Sequence, residues 1–315
     1  MSGLRGEVLE WLAEGCVRPG WERQALLRAG LLPGPGAWRE FLARLCLWLG
    51  TGAIAAALIF FLAYNWDDLG RFAKFGLAEG AILIALLACW RADLDGPAGK
   101  AILVLLALLT GALLALTGQV YQTGADTYEL FGWWAALILP WVLVGRFSPL
   151  WLLWIALLDL TVILYFERGW SDGNEVLWCL LGLNSLALAA WEAAHRRGVS
   201  WLRDSWPPRL LALAALFAAT SLAFGAIFAS HASGLRGLAY LMWLGAFLSW
   251  YLVARRDLFM LAGALLSLIV TVAAWLAIKV LSGGAGSLLF IGLVVIAMSA
   301  GGAMGLRSLA REEQA

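Results

Sequence analysis

The feature that most constrains this chain is a succession of apolar runs between Phe41 and Arg307, each long enough to cross a bilayer. A transmembrane helix needs about 20 mostly apolar residues, and a helix satisfies all of its backbone hydrogen bonds within one segment. The runs read as 41–64, 72–90, 99–118, 129–145, 149–166, 174–194, 208–230, 234–253, 257–280 and 285–306. The expected fold is therefore all-α: a polytopic integral membrane helix bundle of about ten transmembrane helices. Composition agrees, with 63% of residues hydrophobic and 14% charged. Soluble domains carry roughly 45–50% apolar and about 25% charged residues. A soluble multidomain enzyme and a disordered chain are both excluded.

The ends of the chain read differently. Residues 1–37 are polar and form a short cytoplasmic helical hairpin. Leu4, Val8, Trp11 and Leu12 recur at helical spacing with Gly15 as a stop; Trp21, Ala25 and Leu26 follow on a second helix that Gly30 ends. Gly34-Pro35-Gly36 breaks the chain before the bundle, which is read as 38–307, and 308–315 is a tail. No cleavable signal peptide is expected, since the first apolar run starts only near Leu45. Cys16, Cys46, Cys89 and Cys179 make no disulfide framework and read as small hydrophobes.

Basic residues set the orientation. With the N-terminus in the cytoplasm, 17 of the 22 Lys and Arg residues fall on the inner side. The other five, Arg71, Lys74, Arg168, Arg236 and Lys279, fall outside. This bias predicts cytoplasmic N- and C-termini. Trp66, Trp90, Trp151, Trp170, Trp191 and Trp206 sit at span ends, as an interfacial belt does. A net charge of +1 gives no field to draw nucleic acid, so the lipid bilayer is the expected partner, with a membrane-protein partner or a homo-oligomer beside it.

Two polar-aromatic strings are more specific than hydropathy. They are Ala63-Tyr64-Asn65-Trp66-Asp67 and Gly118-Gln119-Val120-Tyr121-Gln122-Thr123-Gly124-Ala125-Asp126. The second continues through Tyr128-Glu129-Leu130-Phe131 to Trp133 and Leu139-Pro140. In these the chain resembles a bacterial family of membrane proteins, domain of unknown function 2157. The resemblance covers the N-terminal helical pair and at least the first four spans. It implies a bacterial inner-membrane location and assigns no chemistry.

The second string is the longest polar stretch between spans. Gln119, Tyr121, Gln122, Asp126, Tyr128, Glu129 and Trp133 offer amide and carboxylate acceptors beside aromatic faces, which suits a sugar, an amine or a lipid headgroup. Asn65 and Asp67 of the first string lie on the same outer side and complete this candidate pocket. A structural reading competes: Asp126 caps the fourth span with Glu129 at its third helical position, and Asn65 and Asp67 cap a short helix anchored by Trp66.

Acids within spans form a second candidate site, for a proton or a cation. Asp159 lies ten residues into the fifth span, about 15 Å along its axis. Glu79 lies seven residues into the second, about 10 Å deep. Each costs at least about 2.5–3.5 kcal/mol at the bilayer centre, so each needs a partner, a wet cavity, a proton or a cation. Asn184, mid-way along the sixth span, can hydrogen-bond one of them; a plain structural hydrogen bond is the alternative. Gly76-x-x-x-Gly80 and Gly301-x-x-x-Gly305 are candidate helix-packing faces.

His195 and His231 fall on opposite sides of the membrane, so no histidine-based metal site is expected. The zinc-protease His-Glu-x-x-His, Walker, dinucleotide and nucleophile-elbow patterns are all missing. No cofactor, no metal and no enzymatic activity are expected. The sequence leans to a carrier, or a protein handling a small molecule or lipid headgroup, with an outward-facing polar-aromatic pocket. The alternative is a non-transporting membrane scaffold or regulatory subunit that docks other proteins.

Overall fold

The computed structural model describes residues 10–11, 14–18, 20–32, 34–122, 124–167, 174–202, 204–228, 234–280 and 285–312. Most of the first expected N-terminal helix, Thr123, Arg168, Trp170, Arg203 and His231 lie outside them. No strand forms among the described residues, and ten helices are long and apolar enough to cross a membrane. The chain divides into two compact units, Met1–Val120 and Tyr121–Ala315.

The first unit opens with α1, Glu22–Arg28. Its end follows from one glycine. Gly30 takes φ +68°, and the N–H groups of Leu31 and Gly30 return to the carbonyls of Leu26 and Leu27, a Schellman closure. Gly15 takes φ +71° next to a similar return from the Cys16 N–H to the Trp11 carbonyl. The three spans are α2 (Pro35–Tyr64), α3 (Arg71–Arg91) and α4 (Pro97–Tyr121). Gly34 is the extended N-cap of α2, so the first span begins within Gly34-Pro35-Gly36 and not at residue 38. Pro35 lies in the first turn of α2, where its missing N–H would be unpaired anyway and its fixed φ suits a helix. Leu62, Ala78 and Leu116, one from each span, form the unit's small buried cluster.

The second unit holds α5 (Thr127–Gly145), α6 (Ser148–Phe166), α7 (Asn174–Arg196), α8 (Trp206–Phe228), α9 (Gly234–Ser249), α10 (Leu258–Val280) and α11 (Ala285–Glu312). The tight link from α5 to α6 is made by Arg146 at φ +41°, and Trp154 Nε1 then donates across the pair to the Ala135 carbonyl at 3.0 Å. At its far end α9 widens into a π-turn over Trp250–Ala254. The central helix is α8, which packs against α7, α9 and α10. Ala212, Ala215, Ala218, Ala219 and Ala223 let three neighbours approach it closely, since each presents one methyl group. α11 packs on α10. There Gly302, and not Gly301 or Gly305, makes the contact, because a Cβ at 302 would collide with Leu265 whereas 301 and 305 face open space.

Candidate functional site

The polar strings lie at helix ends. Asn65 closes α2: its backbone N–H and its Nδ2 both donate to the Phe61 carbonyl, at 3.1 and 2.9 Å. This corrects the expectation that it opens a following helix. An Asn amide has donors as well as an acceptor, and donors serve the unpaired carbonyls of a helix C-terminus. Trp66 carries the Lys74 ammonium 3.6 Å above its ring, and Lys74 is buried. The tryptophan is thus a cation platform for the neighbouring span. Gln119 and Trp66, one from each string, line a shallow groove of about 150 Å³ in the first unit. Asn65 and Asp67 do not line it, and Asp67 is exposed.

The rest of the second string forms the entry to α5. Gln122 at φ +44° and Gly124 at φ +65° turn the chain. Asp126 occupies the N-cap of α5 with Glu129 in the first turn, but its side chain makes no cap hydrogen bond. The capping arrangement read from the sequence is present in position and charge, not in that bond. Tyr128 donates to Glu129 Oε1 at 3.3 Å and sets its ring edge-on to Tyr165 at 5.2 Å. Tyr121 and Trp133 are exposed.

Asp159 and Asn184 meet. They lie about 16 and 15 Å into α6 and α7, which pack together. Asn184 Nδ2 donates to Asp159 Oδ1 at 2.8 Å and to the Leu180 carbonyl at 3.0 Å, while Asn184 Oδ1 is buried with no hydrogen-bond partner. Neither residue lines the cavities described here. Glu79 is exposed on α3, and open space faces Gly76 and Gly80.

A larger cavity, about 770 Å³, lies between α8, α9 and α10. Its described lining runs from Ile227, Gly234 and Lys279 at one end to Tyr240, Leu268 and Thr271 at the other. At the latter end four hydroxyls form a chain. Thr271 Oγ1 donates to the Ser267 carbonyl at 2.8 Å and lies 3.2 Å from the Tyr240 hydroxyl, that hydroxyl meets Ser267 Oγ at 3.0 Å, and Ser267 Oγ meets Thr220 Oγ1 at 2.7 Å. Three helices are joined by this chain. Lys279 is the one charged residue among the described lining, with Trp275 a turn earlier on α10. The volume falls within the roughly 300–1,000 Å³ of small-molecule sites, and the mix of apolar wall and a few directed polar groups is what such sites use.

The opposite end of the second unit is held by ion pairs. Glu192 of α7, 2% exposed, accepts from Arg255 Nη1 at 2.8 Å on both oxygens and from the Tyr251 hydroxyl at 3.1 Å. Asp257 accepts from Arg209 on both carboxylate oxygens, while its Oδ1 also takes the Phe259 N–H at the start of α10. Sequence reasoning passed over these groups. Within the spans it singled out two acids and one amide, so the hydroxyls of Thr220, Tyr240, Ser267 and Thr271 went unread. Glu192 was not singled out. One signal was available: Glu192 lies one turn before Arg196, a carboxylate among basic residues that needs a cation on a neighbouring helix. Among the described residues no group of three or more His, Cys, Asp and Glu is placed to hold a metal ion.

Residues 9–151 match the family model described as predicted membrane protein (DUF2157). The family resemblance of the two strings is shown. The match covers α1 to α5 and the start of α6; the hydroxyl-lined cavity and the Glu192 cluster lie beyond it. No curated protein and no solved structure matches the chain.

Proposed function

We propose that this chain is a non-catalytic protein of the bacterial inner membrane, with both termini in the cytoplasm, that admits a small polar or anionic solute from the outer side into the cavity between α8, α9 and α10, as a carrier does. The observation that carries this reading is the join of one volume, about 770 Å³, to a hydroxyl chain at one end and a lysine at the other. In the orientation set by the basic residues, Lys279 lies at the outer surface. A cation at one end favours carboxylated or phosphorylated solutes over amines, and the polar hydroxyl edge at the other accommodates a polyol.

The test is a stability screen of purified protein against succinate, glycerol phosphate and glucose, repeated on Gly237→Leu. Gly237 lines the cavity, and a Cβ there meets Ala226 only at 3.9 Å, so the leucine fills the volume without a clash at its root. A solute at 100 times its dissociation constant stabilises by about 2.7 kcal/mol. One of the three should raise the unfolding midpoint of the wild type and leave Gly237→Leu unmoved. No rise in any, or a rise that persists in the filled variant, overturns the assignment.

A scaffold reading has its own support in Glu79. It is exposed about 12 Å into α3, with Gly76 and Gly80 open on the same face. A carboxylate facing lipid costs at least about 2.5–3.5 kcal/mol, which favours a covering membrane helix. On that reading Gly76→Leu lowers the mass of the complex extracted in mild detergent; an unchanged mass contradicts it.

A further inference from the structure

The inner end of the second unit carries a groove unconnected to the solute cavity. It runs between α7 and α9, has a volume of about 320 Å³, and extends from Ser185 to Arg196. The eleven helical steps from Ser185 to Arg196 make it about 16 Å long. Its floor is small and apolar, with Leu188, Ala189, Ala193 and Ala246, and its wall is aromatic, with Trp243, Phe247 and Trp250. Trp243 is fixed there by donating to Ser185 Oγ at 2.9 Å and by stacking on Phe247, ring centres 5.1 Å apart.

The charges at its open end are unbalanced. Glu192 is neutralised by Arg255, which spends both near hydrogen bonds on it. Arg196, one helical turn further out, makes no ion pair among the described residues. Its guanidinium carbon lies 4.1 Å over the centre of the Trp250 ring, and its nitrogens make no hydrogen bond to another described residue. The π-turn at Trp250–Ala254 creates this arrangement, since it brings Trp250 to Arg196 and both Tyr251 and Arg255 to Glu192. In the orientation given by the basic residues, the mouth lies at the cytoplasmic interface and the groove runs from it toward the midplane. A basic group at the interface above an apolar groove between helices is the form taken by anionic-lipid sites.

We propose that this groove binds one anionic phospholipid of the inner leaflet, its acyl chain along Ala189 and Ala193 and its phosphate on Arg196. The chain supplies apolar burial and sets the depth. The phosphate supplies the charge-assisted hydrogen bonds that separate anionic from zwitterionic lipid.

Purified full-length protein in detergent is offered phosphatidylglycerol and phosphatidylcholine at equal concentration, and bound lipid is counted by native mass spectrometry. The wild type should retain one phosphatidylglycerol in preference to phosphatidylcholine. Arg196→Gln should lose about tenfold in that preference, the effect of one charge-assisted bond. Arg197→Gln, one position round the helix, should keep it. Ala189→Phe fills the groove and should retain neither lipid there. All four proteins are compared only as monodisperse samples, and Arg196 is exposed at a helix end, so its variant is expected to fold. Glycerol phosphate, which lacks the chain, should not displace the lipid at the same concentration. Equal retention of the two lipids by the wild type, an undiminished preference in Arg196→Gln, or displacement by glycerol phosphate overturns the proposal.

Discussion

Replacing Arg255 with leucine isolates the energetics of the Glu192 cluster. The Glu192 side chain is 3% exposed and the Arg255 side chain 21%, so the carboxylate is the partner that cannot reach water. Without Arg255 it keeps only the Tyr251 hydroxyl at 3.1 Å. Breaking a buried pair from one side costs about 3–5 kcal/mol, and the partial exposure of Arg255 points to the lower end, about 3 kcal/mol. Glu192→Leu strands the partner that can turn toward solvent, so it should cost about 1 kcal/mol. The double variant removes both charges and should also cost about 1 kcal/mol, because a buried pair is itself a weak net stabiliser. The costs are thus far from additive, with a coupling of about 3 kcal/mol. Unfolding by a denaturing surfactant in mixed micelles, followed by tryptophan emission, reads all four proteins. Additive single effects, each within about 0.5 kcal/mol of wild type, would refute the idea that Arg255 is held to neutralise Glu192.

Asp257→Ala removes both the Arg209 pair and the acceptor of the Phe259 N–H, and the lost cap alone should cost about 0.5–2 kcal/mol in the same unfolding assay. Arg209→Gln should cost less, because its side chain is 37% exposed. Asn184→Leu breaks the bond to Asp159 and should cost about 0.6 kcal/mol and no more than roughly 1.7, while Asp159→Asn, which preserves volume, should cost less; a Leu variant as stable as wild type would leave that bond without a structural role. Reporter fusions after Gly198 and after Arg311 should both give fluorescence and no alkaline phosphatase activity, and phosphatase activity at either would reverse the orientation drawn from the basic residues.

The ten spans were legible because hydrocarbon imposes one requirement, about 20 apolar residues in a helix, and each run meets it. Boundaries slipped where a rule has two uses. The bundle was read from residue 38 although Pro35 already lies in the first helical turn, and Asn65 was read as opening a helix when its amide donors close one. Matching depth made Asn184 a candidate partner for Asp159 or Glu79, and the structure pairs it with Asp159. What stayed hidden needed rotation about helix axes, which a chain apolar on all sides does not reveal. Gly301 and Gly305 fit a packing pattern, but it is Gly302 that faces Leu265. Thr220, Tyr240, Ser267 and Thr271 are scattered hydroxyls in sequence, and only the packing of α8 with α9 and α10 turns them into one chain at the end of a cavity. The second string shows the local roles its residues take. Its residues are adjacent in sequence, yet they go to different tasks: Gln119 to a groove, Gln122 to a turn, Asp126 to the start of a helix.

A carrier role requires the cavity between α8, α9 and α10 to be wet and open to the outside. Cysteine accessibility measures this. In a background lacking Cys16, Cys46, Cys89 and Cys179, Thr271→Cys places a thiol on the cavity wall, and Ala264→Cys places one in the packed core of the same helix. A charged, membrane-impermeant thiol reagent added outside intact cells should modify position 271 and spare 264. Protection of 271 in intact cells, with both thiols reacting after denaturation, would contradict the account, since the cavity would then be dry or closed to the outer face.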